Sequence, residues 1–308
     1  MTCKILVVGA GAIGGFYGSL LAKIGLEVSV VGRTDYDTMQ QQGIQIESTL
    51  GHWTFKPAQI LRHAHELEGV ADYVLLCTKV IPSVDRVALI QAAISPQTAI
   101  VLIQNGIDIE QEIHCAFPNH EIISGLAFIC SNRIAPAKIL HLAYGRLLLG
   151  NWPNSVSAKT EQLSVWFRQA GIECNTSADI VNGRWQKCVW NAPFNPLSVL
   201  SGGLPTLAIL HSQETFIRQI MQEVCLIAAA VGQPLPEDII EQNIARTYNM
   251  PPYKTSMLLD FENGRAMETE AILGNTLSAA ARVGIACPHL ESVYALMQLR
   301  QLQLNQSP

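Results

Sequence analysis

Charge is scarce in this chain of 308 residues. Lys, Arg, Asp and Glu make up 15% of it against 49% hydrophobic residues, which excludes a disordered, self-solvating polypeptide. A long basic run is missing and the net charge is −5, so nucleic acid is not an expected partner. No apolar run reaches the ~18 residues of a membrane-spanning helix, so no membrane partner is expected either. The eight cysteines (Cys3, Cys77, Cys115, Cys130, Cys174, Cys188, Cys225 and Cys287) include no C-x-x-C pair. Most have apolar neighbours, which fits buried thiols in a reducing compartment. His63 and His65 are joined by no other histidine or cysteine at metal-ligand spacing, so no metal is expected. Internal repeats, low-complexity stretches and a leader-like segment are also missing, and a cytoplasmic protein is the expectation. This length suits two domains and buries roughly 75% of the extended surface, so disulfide staples are unnecessary.

What is present starts at the N-terminus. Lys4-Ile5-Leu6-Val7-Val8 runs directly into Gly9-Ala10-Gly11-Ala12-Ile13-Gly14, and a helix-like segment follows. This is G-x-G-x-x-G between a strand and a helix, the site for a dinucleotide pyrophosphate. Gly9 permits the tight turn, Gly11 clears space for phosphates, and Gly14 lets helix and strand pack closely. The N–H groups at the helix start favour negative charge.

The first half alternates strands and helices. Strands are expected at 4–8, 27–31, 73–77, 98–104, 122–130 and 145–149, with weaker alternation over 138–144. Helices are expected at 16–23, 84–93 and 157–170, the last closed by Gly171. This predicts an α/β, doubly wound Rossmann-type domain with a mostly parallel sheet over residues 1–180. In such sheets ligands gather beyond the strand C-termini. Gly9, Lys79 and Asn105 all follow strand ends and are expected to face one crevice. Residues 181–308 show helical periods only, at 214–231, 236–247, 269–283 and 288–303, with fraying from 301. They are expected to form an all-α second domain. An apolar helix face in that half fits either a homodimer contact or core.

An NAD site places an acid about 20 residues past the glycines, to bind ribose hydroxyls. Here that place holds Arg33, whose permanent charge and several donors suit a 2′-phosphate. NADPH is therefore expected over NADH, although Asp35 lies two residues on and Arg33 also reads as a solvent-facing turn residue. Lys79 reads either as a second positive charge for the cofactor or as a surface lysine.

Two further clusters stand out. Within Arg184-Trp185-Gln186-Lys187-Cys188-Val189-Trp190-Asn191-Ala192-Pro193-Phe194-Asn195, Lys187 and Asn191 share a helix face. Asn195 continues it, although Pro193 is expected to disturb or end the helix. The segment reads either as a polar pocket lining or as a snorkelling lysine with capping asparagines. In the second cluster, Tyr253 to Glu270, Glu268 precedes a helix. It serves either as N-terminal helix charge or as a carboxylate that holds a lysine ammonium.

Together these segments, with Gln104-Asn105-Gly106, resemble the ketopantoate reductase (2-dehydropantoate 2-reductase) family over nearly the whole chain. The resemblance implies an N-terminal Rossmann domain that binds NADPH and a helical C-terminal domain that closes over it. It implies reduction of 2-dehydropantoate to pantoate in pantothenate biosynthesis. By resemblance Lys187 is the catalytic lysine and Glu268 its acidic partner. Asn191, Asn195 and Ser256 match substrate-binding positions, and Arg33 and Lys79 match basic cofactor-binding positions. Asn105 matches a residue near the nicotinamide that serves substrate and cofactor alike. Met267, Glu270 and the bulky run from Tyr248 to Lys254 depart from the family pattern. They bear on which 2-oxo acid is reduced. A reductase of another branched 2-oxo acid and a non-catalytic NADP(H)-binding sensor are the alternative readings.

Overall fold

The computed structural model describes residues 3–250 and 254–306. In Lys4–Val8 (β1) successive side chains enter two different apolar layers. Ile5 and Val7 join one buried cluster with Val30 and Leu75, whereas Leu6 and Val8 join another with Val74 and Leu102. A strand covered on both faces needs an unbroken apolar run, and this one has it.

Around β1 the described residues form a ten-stranded sheet. Its other strands are Glu27–Val31 (β2), Ile44–Ser48 (β3), Gly51–Phe55 (β4), Ile60–Leu61 (β5), Tyr73–Leu76 (β6), Ala99–Ile103 (β7), Ile122–Ala135 (β8), Lys138–Asn151 (β9) and Cys174–Thr176 (β10). The order is β4-β3-β9-β8-β7-β6-β1-β2-β5, and β10 pairs with β9. Pairing is parallel except in the β8–β9 and β3–β4 pairs. Five helices accompany it: Ala12–Lys23 (α1), Tyr36–Gln42 (α2), Arg86–Ile90 (α3), Glu110–Ala116 (α4) and Ala158–Gln169 (α5). Phe16, Tyr17 and Leu20 of α1 and Leu163 and Phe167 of α5 fill one layer, and Ile90 of α3 and Ile113 of α4 enter the other. Helices on both faces of a mainly parallel sheet make this a doubly wound, Rossmann-like unit.

The second unit is an α-helical bundle built from Ile180–Leu200 (α6), Thr206–Ala230 (α7), Ile239–Tyr248 (α8), Ser256–Glu262 (α9), Asn275–Val283 (α10) and Pro288–Gln306 (α11). The first unit comprises the described residues up to Lys79 with Val84–Gln104 and Glu110–Ile180. The second takes Val80–Ser83, Asn105–Ile109 and the described residues from Val181 onward.

Several local expectations are corrected. The strands read over 122–130 and 145–149 belong to one long hairpin of two 14-residue strands. Its three register shifts, at Phe128/Ile129, Cys130/Ser131 and Arg133/Ala135, interrupt the alternation that marks a strand. Pro193 does not end α6, which continues through Pro193 and Pro196 to Leu200. A helix-interior proline costs about 3 kcal/mol. Val189, Ala192, Phe194 and Val199 are fully buried along this stretch, and each large apolar side chain returns roughly 1.5–3 kcal/mol. The helix expected over 214–231 starts earlier, at Thr206, and is kinked at Gln213 (φ −133°, ψ 34°). Over 269–283 a π-helical turn, Glu270–Gly274, precedes α10, which ends on left-handed Gly284 (φ 69°). Residues 301–306 continue α11 instead of fraying, with Leu304 packed on the bundle core. Residues 307–308, and residues 251–253 of the bulky run, lie outside the described residues.

Candidate active site

The glycine turn of the first unit satisfies three separate constraints. Gly9 has φ +97°, and a Cβ there would meet the backbone nitrogen of Thr78 at 2.9 Å. At Gly14 a Cβ would lie 2.3 Å from the Gly9 carbonyl oxygen and 2.7 Å from Val7 Cγ1. Gly11 differs from both. Its φ is −78°, open to any residue, and a Cβ would find nothing within 4 Å. Neither backbone nor packing demands glycine there, so what it keeps open is space at the start of α1. Gly11 is the N-cap of α1 and offers no side-chain cap, and the first turn carries no acid. The first-turn amides of Ala12, Ile13 and Gly14 have no helical acceptor and are aligned with the positive end of the helix dipole. Ala10 is buried in the adjoining core. This cradle fits the pyrophosphate of a dinucleotide.

Arg33 is exposed two residues beyond the end of β2. Asp35 is buried and committed. Its carboxylate accepts Arg133 Nε at 2.6 Å, Arg133 Nη2, and the Ala137 N–H at 2.8 Å. Lys79 follows the end of β6 and is half-buried. Beside it, Gln104 donates through Nε2 to the Thr78 carbonyl at 2.6 Å and accepts Arg86 Nη1 at 3.1 Å. This interaction ties together the chain segments leaving β6 and β7.

The second unit holds the lysine cluster. Lys187 is carried by α6, and its Nζ donates to Asn105 Oδ1 at 2.9 Å. The Nδ2 of Asn105 donates to Glu268 Oε2 at 3.3 Å, and the Val80 N–H donates to Glu268 Oε1 at 3.1 Å. Asn105 thus stands as the link between the lysine and the buried carboxylate. The loop that carries it is fixed at several points. Ile107 N–H donates to the Ala271 carbonyl at 2.9 Å, and Asn275 Nδ2 donates to the Ile107 carbonyl at 2.6 Å. Arg184 Nη1 donates to the Gly106 carbonyl at 3.3 Å. Ala271 lies in the π-helical turn, a distortion that recurs at functional sites.

Asn191 and Asn195 follow Lys187 on α6 and are 8% and 2% exposed. Ser256 opens α9. Thr255 caps that helix through the Leu258 N–H at 3.1 Å and bonds to Ser198 at 2.6 Å, while Ser198 Oγ donates to the Asn195 carbonyl at 2.8 Å. The pinning of α9 to α6 by Ser198 and Thr255, and the contribution of the Val80 amide, carried no signal in the sequence. Gly106 did carry one, as a glycine directly after the key asparagine.

Burial pushes the Cys188 and Cys174 thiols up to about 11, and the Cys77 thiol further, so none supplies a thiolate at neutral pH. Among the described residues there is no cluster of His, Cys, Asp and Glu able to hold a metal ion, and no helix long and apolar enough to cross a membrane.

Comparison with known proteins gives a consistent result. Residues 5–154 match the profile of "Ketopantoate reductase PanE/ApbA", and residues 179–301 match that of its C-terminal domain. A 2-dehydropantoate 2-reductase of Nostoc sp. is 33% identical over 297 residues, covering 94% of this chain and 93% of that one. The crystal structure of 2-dehydropantoate 2-reductase from Methylococcus capsulatus is 59% identical, with a TM-score of 0.94 over 99% of this chain and 98% of that one. That of the Geobacter metallireducens enzyme is 35% identical, with a TM-score of 0.91 over 96% of this chain and 99% of that one. With both halves matched and identities of this size over nearly the full length, the chain belongs to the ketopantoate reductase family of oxidoreductases.

Proposed function

We propose that this protein reduces 2-dehydropantoate to pantoate with NADPH. The observation that carries the reading is the Lys187–Asn105–Glu268 chain, in a protein whose relatives of 33–59% identity are named for this reaction. NADPH, when bound, supplies the hydride. The glycine turn and the first amides of α1 would hold its pyrophosphate, and Arg33 and Lys79 would meet its 2′-phosphate. The ammonium of Lys187 donates to the 2-oxo oxygen of the substrate. Charge grows on that oxygen during reduction, so this hydrogen bond strengthens towards the transition state. Lys187 then passes a proton to the oxygen as general acid. Asn105 is a neutral acceptor, so it aims Nζ without cancelling its charge, and Glu268 fixes the other end of that amide. The amides of Asn191 and Asn195 and the Ser256 hydroxyl grip the carboxylate and hydroxyl of the substrate.

The test is a substrate panel followed by NADPH oxidation. The highest kcat/KM is expected for 2-dehydropantoate, at least ~10-fold above simple branched 2-oxo acids that lack its hydroxyl. A faster rate with another 2-oxo acid would reassign the substrate, and no oxidation with any of them would overturn the reading.

The glycine turn gives a second prediction. Gly11→Ala should cost less than ~1 kcal/mol of stability yet weaken NADPH binding at least ~10-fold, because its methyl group projects only where phosphate must come. Gly14→Ala should cost ~2 kcal/mol or more, because its methyl group meets backbone. Melting curves with and without NADPH check both, and an unchanged NADPH affinity in Gly11→Ala would remove the phosphate assignment.

A further inference from the structure

We propose that Arg133 is a positioning residue for cofactor choice: it holds the Asp35 carboxylate against the β8–β9 turn, so that Asp35 does not oppose the charge that Arg33 offers to a 2′-phosphate. This inference rests on the NADPH reading above.

Asp35 lies two residues past Arg33, in the stretch where an acid would accept the ribose hydroxyls of NADH and repel the phosphate of NADPH. Its side chain is held elsewhere. Arg133 grips it with two donors from β8, and Ala137, in left-handed conformation (φ 51°) at the tip of the hairpin, adds its N–H at 2.8 Å. Both carboxylate oxygens are thereby occupied, and Asp35 is 7% exposed while Arg33 stays exposed. The charges follow the same logic. Arg33 and Asp35 alone sum to zero, and Arg133 restores a net positive charge to the loop. Arginine suits this work because its planar fork matches a carboxylate and keeps its charge at all relevant pH. Without Arg133, Asp35 keeps one backbone donor. Its charge then opposes a 2′-phosphate, and one of its oxygens becomes available to a 2′-hydroxyl. Both effects move preference from NADPH towards NADH.

The test measures binding, not turnover. Dissociation constants for NADPH and NADH, and for the fragments 2′,5′-ADP and 5′-AMP, are taken by calorimetry on the wild type, Arg133→Met, Asp35→Asn and the double variant. Arg133→Met keeps much of the aliphatic stem and removes the donors. It is expected to lower the NADPH-over-NADH preference about tenfold, the size of an uncompensated charge near a half-exposed phosphate. The 2′,5′-ADP-over-5′-AMP ratio should fall in parallel. Adding Asp35→Asn should return the preference to within about threefold of wild type, as coupling between two touching residues requires. Asp35→Asn alone should leave the preference equal or higher, which keeps the idea testable should Arg133→Met fold poorly. A purely structural Arg133 would weaken both cofactors alike and leave the ratio fixed. An Arg133 that itself bound phosphate would give a loss that Asp35→Asn does not repair. Either result overturns the proposal, as does a lower preference in Asp35→Asn alone. Equal wild-type affinity for both cofactors would instead sink the NADPH reading, and this inference with it.

Discussion

Lys187→Ala is expected to lower kcat for 2-dehydropantoate by at least ~10²-fold, while the NADPH dissociation constant stays within about threefold of wild type. The asymmetry follows from where the ammonium acts. Its bond to the 2-oxo oxygen gains strength only as that oxygen becomes negative, so its loss falls on the transition state. The scaffold should tolerate the change. Lys187 is partly exposed, whereas its neighbours Trp185, Cys188 and Val189 supply the buried face of α6. Lys187→Arg makes the useful control. It keeps the charge, but a planar fork does not replace the compact ammonium that donates to the Asn105 amide oxygen, and guanidinium does not release a proton. A loss of ~10-fold or more is expected for it too, against only a few-fold if charge alone mattered. Stopped-flow reduction under single-turnover conditions separates chemistry from product release. Near-normal turnover by Lys187→Ala would end the assignment.

The sequence was readable where one residue faced one strong constraint. Gly9 and Gly14 each answer a different local demand, so spacing alone placed the turn. The central strands β1, β2, β6 and β7 are buried on both faces, and their apolar runs have few other solutions. Legibility failed where tertiary contacts outweighed local preference. The edge strand β4 is largely exposed and has no apolar run to announce it. α6 outlasts two prolines because of what Phe194 and Val199 bury. The state of Asp35 was invisible because its partner, Arg133, lies 98 positions along the chain. Lys187 and Glu268 stood out as residue types, but the amide between them belongs to a loop that only the folded chain brings to α6. Spacing rules reach one helix turn or one strand pair, and this site is assembled across longer separations.

That loop carries the second large expected effect. Gly106→Ala should lower kcat by roughly 10²-fold, the scale expected when a reacting group is misplaced by about 1 Å. Gly106 has φ +117°, a region L side chains rarely adopt, and its Cβ would lie 2.7 Å from the Ala271 carbonyl oxygen and 2.7 Å from Ile109 Cγ2. The same Ala271 carbonyl accepts the Ile107 N–H, so the clash falls on the bond that seats the loop. Strain of this kind costs about 1–3 kcal/mol, and the loop relieves it by moving, which takes Asn105 away from Lys187. The bundle itself should persist, since most of its core lies in α6 to α11 and the loop contributes only Ile107 to it. A global loss of structure would lower activity as well, so the deciding measurement is non-additivity. Asn105→Ala removes the link directly and should cost roughly 10–10²-fold in kcat. If Gly106 acts through Asn105, the double variant should be no worse than about threefold below the weaker single variant. Multiplying losses in the double variant, at assay temperatures where circular dichroism shows all three proteins folded, would mean that the glycine and the asparagine serve separate purposes. The lysine would then owe its aim to something other than this loop.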